Sequence, residues 1–353
     1  MLGDPRLLTQ AERLLRNAEQ RIRLLDRALP TNLSRERQRL QLELAAGRAL
    51  SPRFEYEPVT DLHEVRASLT ALRGALAGAG ALAQLYAERA EELLLEAELC
   101  ENVGQPRFRE LAERRFPLLE DTGLAALLDA FSSAPDPQPE ELVDACDDAD
   151  PRSLLNVLRR HIGESKVAVR IELREQLHSV AAAGGGFVAV RRGARLTPSA
   201  ARRIARHELD GHVLPRLRAE AEVLGIYRAG TRGANEDEEG RALCLEQRLS
   251  LWDGARQREL AQRHWLGVAA RAGAELSELV ELGQGRGMQA SAALELSVRV
   301  LRGGGLGREV VYLPAFLRIS RAFADDAACE RYFERGRVSL GALPLLRALE
   351  LNR

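Results

Sequence analysis

The stretch "RHELDGHVLPRL", residues 206–217, constrains this chain more than any other. It sets His207 and His212 five residues apart, with Glu208 between them and Pro215 three residues further on. On a regular α-helix, residues five apart are turned about 140° from each other, whereas residues four apart differ by only about 40°. Two imidazoles five apart converge on one point only if the helix absorbs an extra residue, as a π-bulge does. Asp210 and Gly211 are weak helix formers at the place where that distortion is needed. Pro215 removes an N–H that would otherwise bond to the Gly211 carbonyl. The segment therefore holds the breakers that a bulged or ending helix wants. The competing reading is a polar helix on which two histidines coincide.

A zinc site needs a third protein ligand and an open position. Downstream, "EDEEGRALCLEQRLSLW" (236–252) opens a helix whose apolar stripe is Ala242, Leu243, Leu245 and Leu249. An acidic first turn by itself is ordinary dipole complementation. Beside the histidine helix, one carboxylate of the Glu236–Glu239 run can complete a His, His, Glu set for one zinc ion per chain. Spacing leaves open which of them does so. Glu208 would then act as the general base toward water and later as proton donor to the leaving amine.

The surroundings of the histidines suit such a helix. Thr197 is a good N-cap and Pro198 fits the first helical position. Two segments before it, "SKVAVRIEL" and "GGGFVAVRRG", read as short strands. A later strand is expected at "REVVYL" (308–313), after the glycine run 302–307. The first 130 or so residues read as helices. Leu8, Ala11, Leu15, Ala18, Ile22 and Leu25 form one face of the first, and the stripes repeat over 33–48, 60–100 and 105–131. "PRFEYEP" (52–58) is an extended link. "SSAPDPQPEELVDACDDADP" (132–151) is a Pro/Asp-rich loop with a short helix inside, and the best internal boundary. The expected division is a helical region over 1–150 and a second domain over 151–353, with one compact unit over 50–353 as the alternative.

Composition excludes several function classes. A formal net charge of −1 gives no field that would draw nucleic acid or a membrane surface, and 4% aromatic residues leave few stacking platforms. Lys166 is the only lysine among the basic residues, the bias of a GC-rich, bacterial coding sequence. Cys100, Cys146, Cys244 and Cys329 are far apart and form no metal-binding pair, as expected of free thiols in a reducing compartment. No apolar leader and no spanning segment is visible, so the chain reads as soluble and cytoplasmic. His63, His161, His178 and His264 have no paired spacing and read as structural or surface residues. Nothing in the sequence gives the oligomeric state.

The histidine stretch followed by Glu238-Glu239-Gly240-Arg241-Ala242, with Glu239 27 residues after His212, resembles the HExxxH metallopeptidases. These are the microtubule-associated tyrosine carboxypeptidases and bacterial relatives named for a QEGLP motif. Members typically show H-E-I-G-x-H-x-L-R and then Q/E-E-G-L-A. Here Leu209 replaces Ile, Asp210 replaces Gly, and the small residue moves to Gly211. "PRFEYEP", "RVLRGGGLGREVVYLPAFLR" (299–318) and the C-terminal "FERGRVSLGALPLLRAL" are similar to other family segments in the same order.

The resemblance implies an α+β, predominantly helical protein, with a zincin-like catalytic domain, a small sheet and a bulged HExxxH helix. It implies zinc on His207, His212 and Glu239, with Glu208 as catalytic acid/base. The substrate would be a peptide or protein C-terminus. The eukaryotic members remove a terminal tyrosine from tubulin, a specificity the departures do not carry over. A carboxypeptidase needs a cation for the terminal carboxylate, for which Arg302 or Arg308 could serve. It also needs a donor to the oxyanion, for which Tyr312 or Tyr227 could serve. The bland reading of each is a surface arginine or a packed tyrosine. Two other functions stay open: a non-catalytic zinc-containing regulatory protein, and a zinc amidase acting on a non-protein substrate.

Overall fold

The computed structural model describes residues 4–351 apart from Gln176 and His178, so that histidine lies outside the described residues. Among the described residues the chain is predominantly helical with two small sheets, an α+β composition. It divides into two compact units, Met1–Ser133 with Arg258–Pro314, and Ala134–Gln257 with Ala315–Arg353. The first crossing falls within the Pro/Asp-rich stretch, and residues 258–314 return to the unit of the N-terminal helices.

The first unit is built of helices. Pro5–Ile22 starts at Asp4, whose carboxylate accepts from the Arg6 N–H at 2.9 Å, and buries Ala11, Leu15, Ala18 and Ile22. Leu25 was expected on the same stripe but is exposed. Arg23 adopts left-handed backbone (φ 46°), which ends the helix and lets the following short turn bury Leu24 instead. Leu33, Leu40 and Leu50 pack with Leu266, Leu279, Leu294 and Val298 in one core cluster. The expected strand at 308–313 is helical: Arg308–Val311 is a 3-10 turn leading into the helix Tyr312–Asp325. Two valines favour a strand, but a strand needs an edge to pair with. All strands among the described residues lie between 143 and 196.

The second unit contains the sheets. β1 (Val143–Asp144) pairs antiparallel with β5 (Arg195–Leu196), so the Pro/Asp-rich stretch holds a two-residue strand and turns where a short helix was expected. The carboxylates of Asp144, Asp147 and Asp150 each accept from the backbone N–H two residues on, turn bonds that compete with a helix there. β2 (Arg170–Arg174) and β4 (Phe187–Arg191) are parallel, with Arg170 opposite Phe187; β3 (Ala181–Ala183) lies antiparallel on the other side of β4. Val188 and Val190 of the central strand form a core with Ala201, Ala205, Leu209 and Val213. These last four recur every fourth residue and seat the histidine helix on the sheet. Burying a side chain such as Leu209 fully is worth about 2 kcal/mol.

Candidate metal centre

The histidine helix begins at Pro198 after Thr197, whose hydroxyl accepts from the Ala200 N–H at 3.2 Å. It runs regularly to Arg206, then His207–Val213 form a π turn, and Leu214–Ala219 resume the α-helix. The Leu214 N–H bonds to the Leu209 carbonyl, five residues back. The turn packs against β3 and β4 and against a second helix, Ala234–Arg248, which we call the acidic helix. A Cβ on Gly211 would stand 2.9 Å from the Ala242 Cβ, and one on Gly240 would stand 2.6 Å from the Ala315 carbonyl. Small residues thus let the acidic helix approach the π turn on one side and the helix carrying Ala315 on another. Asp237, buried at the start of the acidic helix, accepts from Arg318 and from the Leu340 N–H at 2.7 Å.

The extra residue between the histidines is taken up by the π turn, and their rings meet. Nε2 of His207 and Nε2 of His212 are 3.2 Å apart, and Oε2 of Glu239 is 3.5 Å from the first and 3.8 Å from the second. Donors about 2.0–2.2 Å from a tetrahedral zinc stand roughly 3.3–3.6 Å from one another, so the observed spacing fits one ion. Among the described residues, His207, His212 and Glu239 form the one group able to hold a metal. Glu239, of the acidic run, is the carboxylate that faces both rings.

Behind each ring stands a second carboxylate. Glu246, fully buried, lies 2.6 Å from Nδ1 of His207, and it also accepts from Trp252 Nε1 at 2.8 Å and Arg256 Nη2 at 2.9 Å. Burial would raise its pKa, but Arg256 and His207 together hold it below the usual carboxylate range. An ionised carboxylate only accepts, so Nδ1 of His207 donates and Nε2 faces the shared point. Glu238 lies 3.5 Å from Nδ1 of His212 and takes two hydrogen bonds from Arg216, at 3.2 and 2.9 Å. Burial opposes its ionisation too, and the Arg216 and His212 charges overcome it. His207 is itself pushed up to about 10: burial disfavours its charge, but hydrogen bonds to Glu239 and Glu246 prevail. Paired imidazoles among so many carboxylates call for positive charge between them, whether a proton or a metal ion.

A protein-family model described as microtubule-associated tyrosine carboxypeptidase matches residues 44–352. The chain belongs to that family. No curated protein matches it. Membership in the tyrosine carboxypeptidase family makes it a carboxypeptidase-type peptidase with a protein or peptide substrate. Among the described residues, no helix is long and apolar enough to cross a membrane.

Within this member of the tyrosine carboxypeptidase family, the other residues singled out from sequence fall in different places. Glu208 is half-buried on the π turn, with no hydrogen-bond or ion-pair partner among the described residues. Asp210, the departure from the family's glycine, turns outward to Arg206 at 2.9 Å. Tyr227 is fully buried; its hydroxyl donates to Glu350 at 3.4 Å and Arg335 lies over its ring. Arg302, Arg308 and Tyr312 belong to the other unit. There Arg308 donates to the Tyr312 hydroxyl at 3.2 Å, and Arg302 stands 3.7 Å from the buried Glu309. His63 is exposed, His161 lies 3.2 Å from Glu164, and His264 is buried.

Glu246, Arg216, Arg241, Trp252 and Arg256 were not foreseen from sequence as parts of the site, and Glu238, foreseen only as one possible metal ligand, stands behind the His212 ring instead. For Glu246 a signal existed, since it follows Glu239 by seven residues, two turns along the same helix.

Proposed function

We propose that this chain is a zinc-dependent carboxypeptidase that hydrolyses a peptide bond near a protein or peptide C-terminus. The observation that carries the reading is the His207, His212, Glu239 triangle, with its 3.2–3.8 Å edges. The π turn and the zincin-like setting, a helix seated on a small sheet, support it. Zinc there would supply Lewis acidity to the scissile carbonyl and to the attacking water.

The chain's own residues divide the remaining work. Glu208 takes the proton from the attacking water and passes it to the leaving amine. Glu246 and Glu238 orient the two imidazoles and keep their lone pairs directed at one point. Tyr227, in the same unit as the metal donors, is the proposed donor to the oxyanion.

The test is a peptide library with free and amidated C-termini, read by mass spectrometry, on protein purified with zinc. Shortening from the free C-terminus is expected, with Glu208→Gln retaining zinc and losing activity by about 10²–10⁴-fold. Protein that carries no zinc after such purification would sink the reading. Zinc-loaded protein that leaves every peptide intact would favour a zinc amidase on a non-protein substrate, or a non-catalytic role.

A further inference from the structure

We propose that Arg241 is a positioning residue: its guanidinium holds the π turn in the register at which His207 and His212 meet. The proposal rests on the metal-site reading above.

The backbone explains why such a residue is needed. At the end of the π turn the Leu214 N–H reaches five residues back, to the Leu209 carbonyl. Where the helix returns to α register, one carbonyl is skipped, because the following N–H groups reach only four residues back. Pro215 lies at that return and has no N–H, so a second carbonyl goes without a backbone donor. Two carbonyls at the exit of the turn therefore need donors from elsewhere. Nη1 of Arg241 lies 3.0 Å from the Asp210 carbonyl and 3.0 Å from the Gly211 carbonyl. One nitrogen with two hydrogens answers both.

Position and burial agree with that role. Arg241 is 6% exposed, two residues beyond Glu239 and next to Ala242, which packs on Gly211. The helix that brings the third metal donor thus also brings the group that satisfies the distorted backbone. Pro215 complements it, since without an N–H at 215 the α-register bond to the Gly211 carbonyl cannot form. Arg241 and Pro215 together leave the π turn as the register in which the backbone is satisfied. A leucine at 241 would fill the space without supplying donors.

The protein, stripped by a chelator, can be titrated with zinc alone in competition with an indicator and with cobalt(II) alone by visible absorption. Thermal unfolding of the metal-free protein is followed in parallel. Arg241→Met is expected to weaken zinc binding by about tenfold or more, to change the cobalt band and to lower the melting temperature. In the double variant Arg241→Met/Pro215→Ala, the second substitution restores a backbone donor and lets the helix close in α register. Its melting temperature is expected to return toward wild type while zinc affinity and the cobalt band do not. Because the double variant regains a donor, it serves even where Arg241→Met does not fold. Wild-type zinc affinity in either variant overturns the proposal and leaves the metal site standing. A wild-type protein that takes up neither ion overturns the metal site and the proposal together.

Discussion

Oε1 of Glu246 stands 2.6 Å from Nδ1 of His207, and the same carboxylate is clamped by Arg256 through Nε at 3.0 Å and Nη2 at 2.9 Å. A buried carboxylate of this kind serves its imidazole only while it is ionised, and the guanidinium keeps it so. The chain His207–Glu246–Arg256 is therefore one device. Its parts are expected to fail in different ways.

Glu246→Gln preserves the shape but removes the charge behind His207. Zinc affinity should fall by about 10–100-fold in a chelator competition. Glu246→Ala additionally takes from the buried Arg256 guanidinium the carboxylate it holds at 2.9 Å, and should lower stability in urea unfolding further than Glu246→Gln does. A Glu246→Gln protein with wild-type zinc affinity would mean that His207 needs no such support.

The two close helix approaches should differ in severity. At Gly240 an added Cβ meets the backbone of Ala315 at 2.6 Å, and backbone cannot swing aside. Gly240→Ala should lose about 1–3 kcal/mol of stability in urea unfolding. At Gly211 the obstacle is the Ala242 Cβ at 2.9 Å. Gly211→Ala should shift the acidic helix off the π turn and weaken zinc more than it weakens the fold. Equal zinc affinity in Gly211→Ala and wild type would contradict this.

Acid should expose His264. Burial pushes its pKa down to about 4, from an ordinary value of 6.5. The unfolded chain therefore takes up the proton first, and stability falls as pH drops from about 6.5 to about 4, then levels. Between pH 7 and 4.5 this one group should remove roughly 2–3 kcal/mol. Many carboxylates titrate over the same range, so the measurement is a comparison with His264→Asn, whose urea stability should fall by correspondingly less. Parallel pH dependences in the two proteins would rule His264 out as the cause.

Metal should stabilise the fold it completes. Zinc at about 100 times its dissociation constant should add about 2.7 kcal/mol, seen as a higher melting temperature that chelator reverses. His212→Ala should melt at the same temperature with and without zinc. A zinc-dependent shift that survives in His212→Ala would place the ion elsewhere.

Much of the site was legible because its oddity is local. His207 and His212, five residues apart, can converge only with an absorbed residue, and Gly211, Asp210 and Pro215 mark where it goes. Thr197 and Pro198 announce the helix start, and the Ala11–Leu15–Ala18–Ile22 face of the first helix is buried as its period requires. What periodicity could not carry was anything depending on a turn's exact course. Leu25 left its stripe because Arg23 adopts left-handed backbone. Val310 and Val311 suit a strand, yet they had no edge to join. Arg256 and Trp252 reach Glu246 from beyond the end of the acidic helix, past the left-handed residue Ser250, which no helical wheel anticipates. Arg241 reads as a solvated charge until the carbonyls it serves are seen.

The acidic helix and the π turn have one more consequence, for assembly. The groups gathered around the two imidazoles, from Thr197 to Arg256, come from one uninterrupted stretch of chain. His207 and Glu246 are 39 residues apart, and Arg216 and Glu238 only 22. Closing loops of this size is entropically cheap, because the penalty grows only with the logarithm of length. These residues leave the ribosome one after another and can find their partners by short-range encounters. The later-made Ala315 and Arg318 then have only to dock against Gly240 and Asp237.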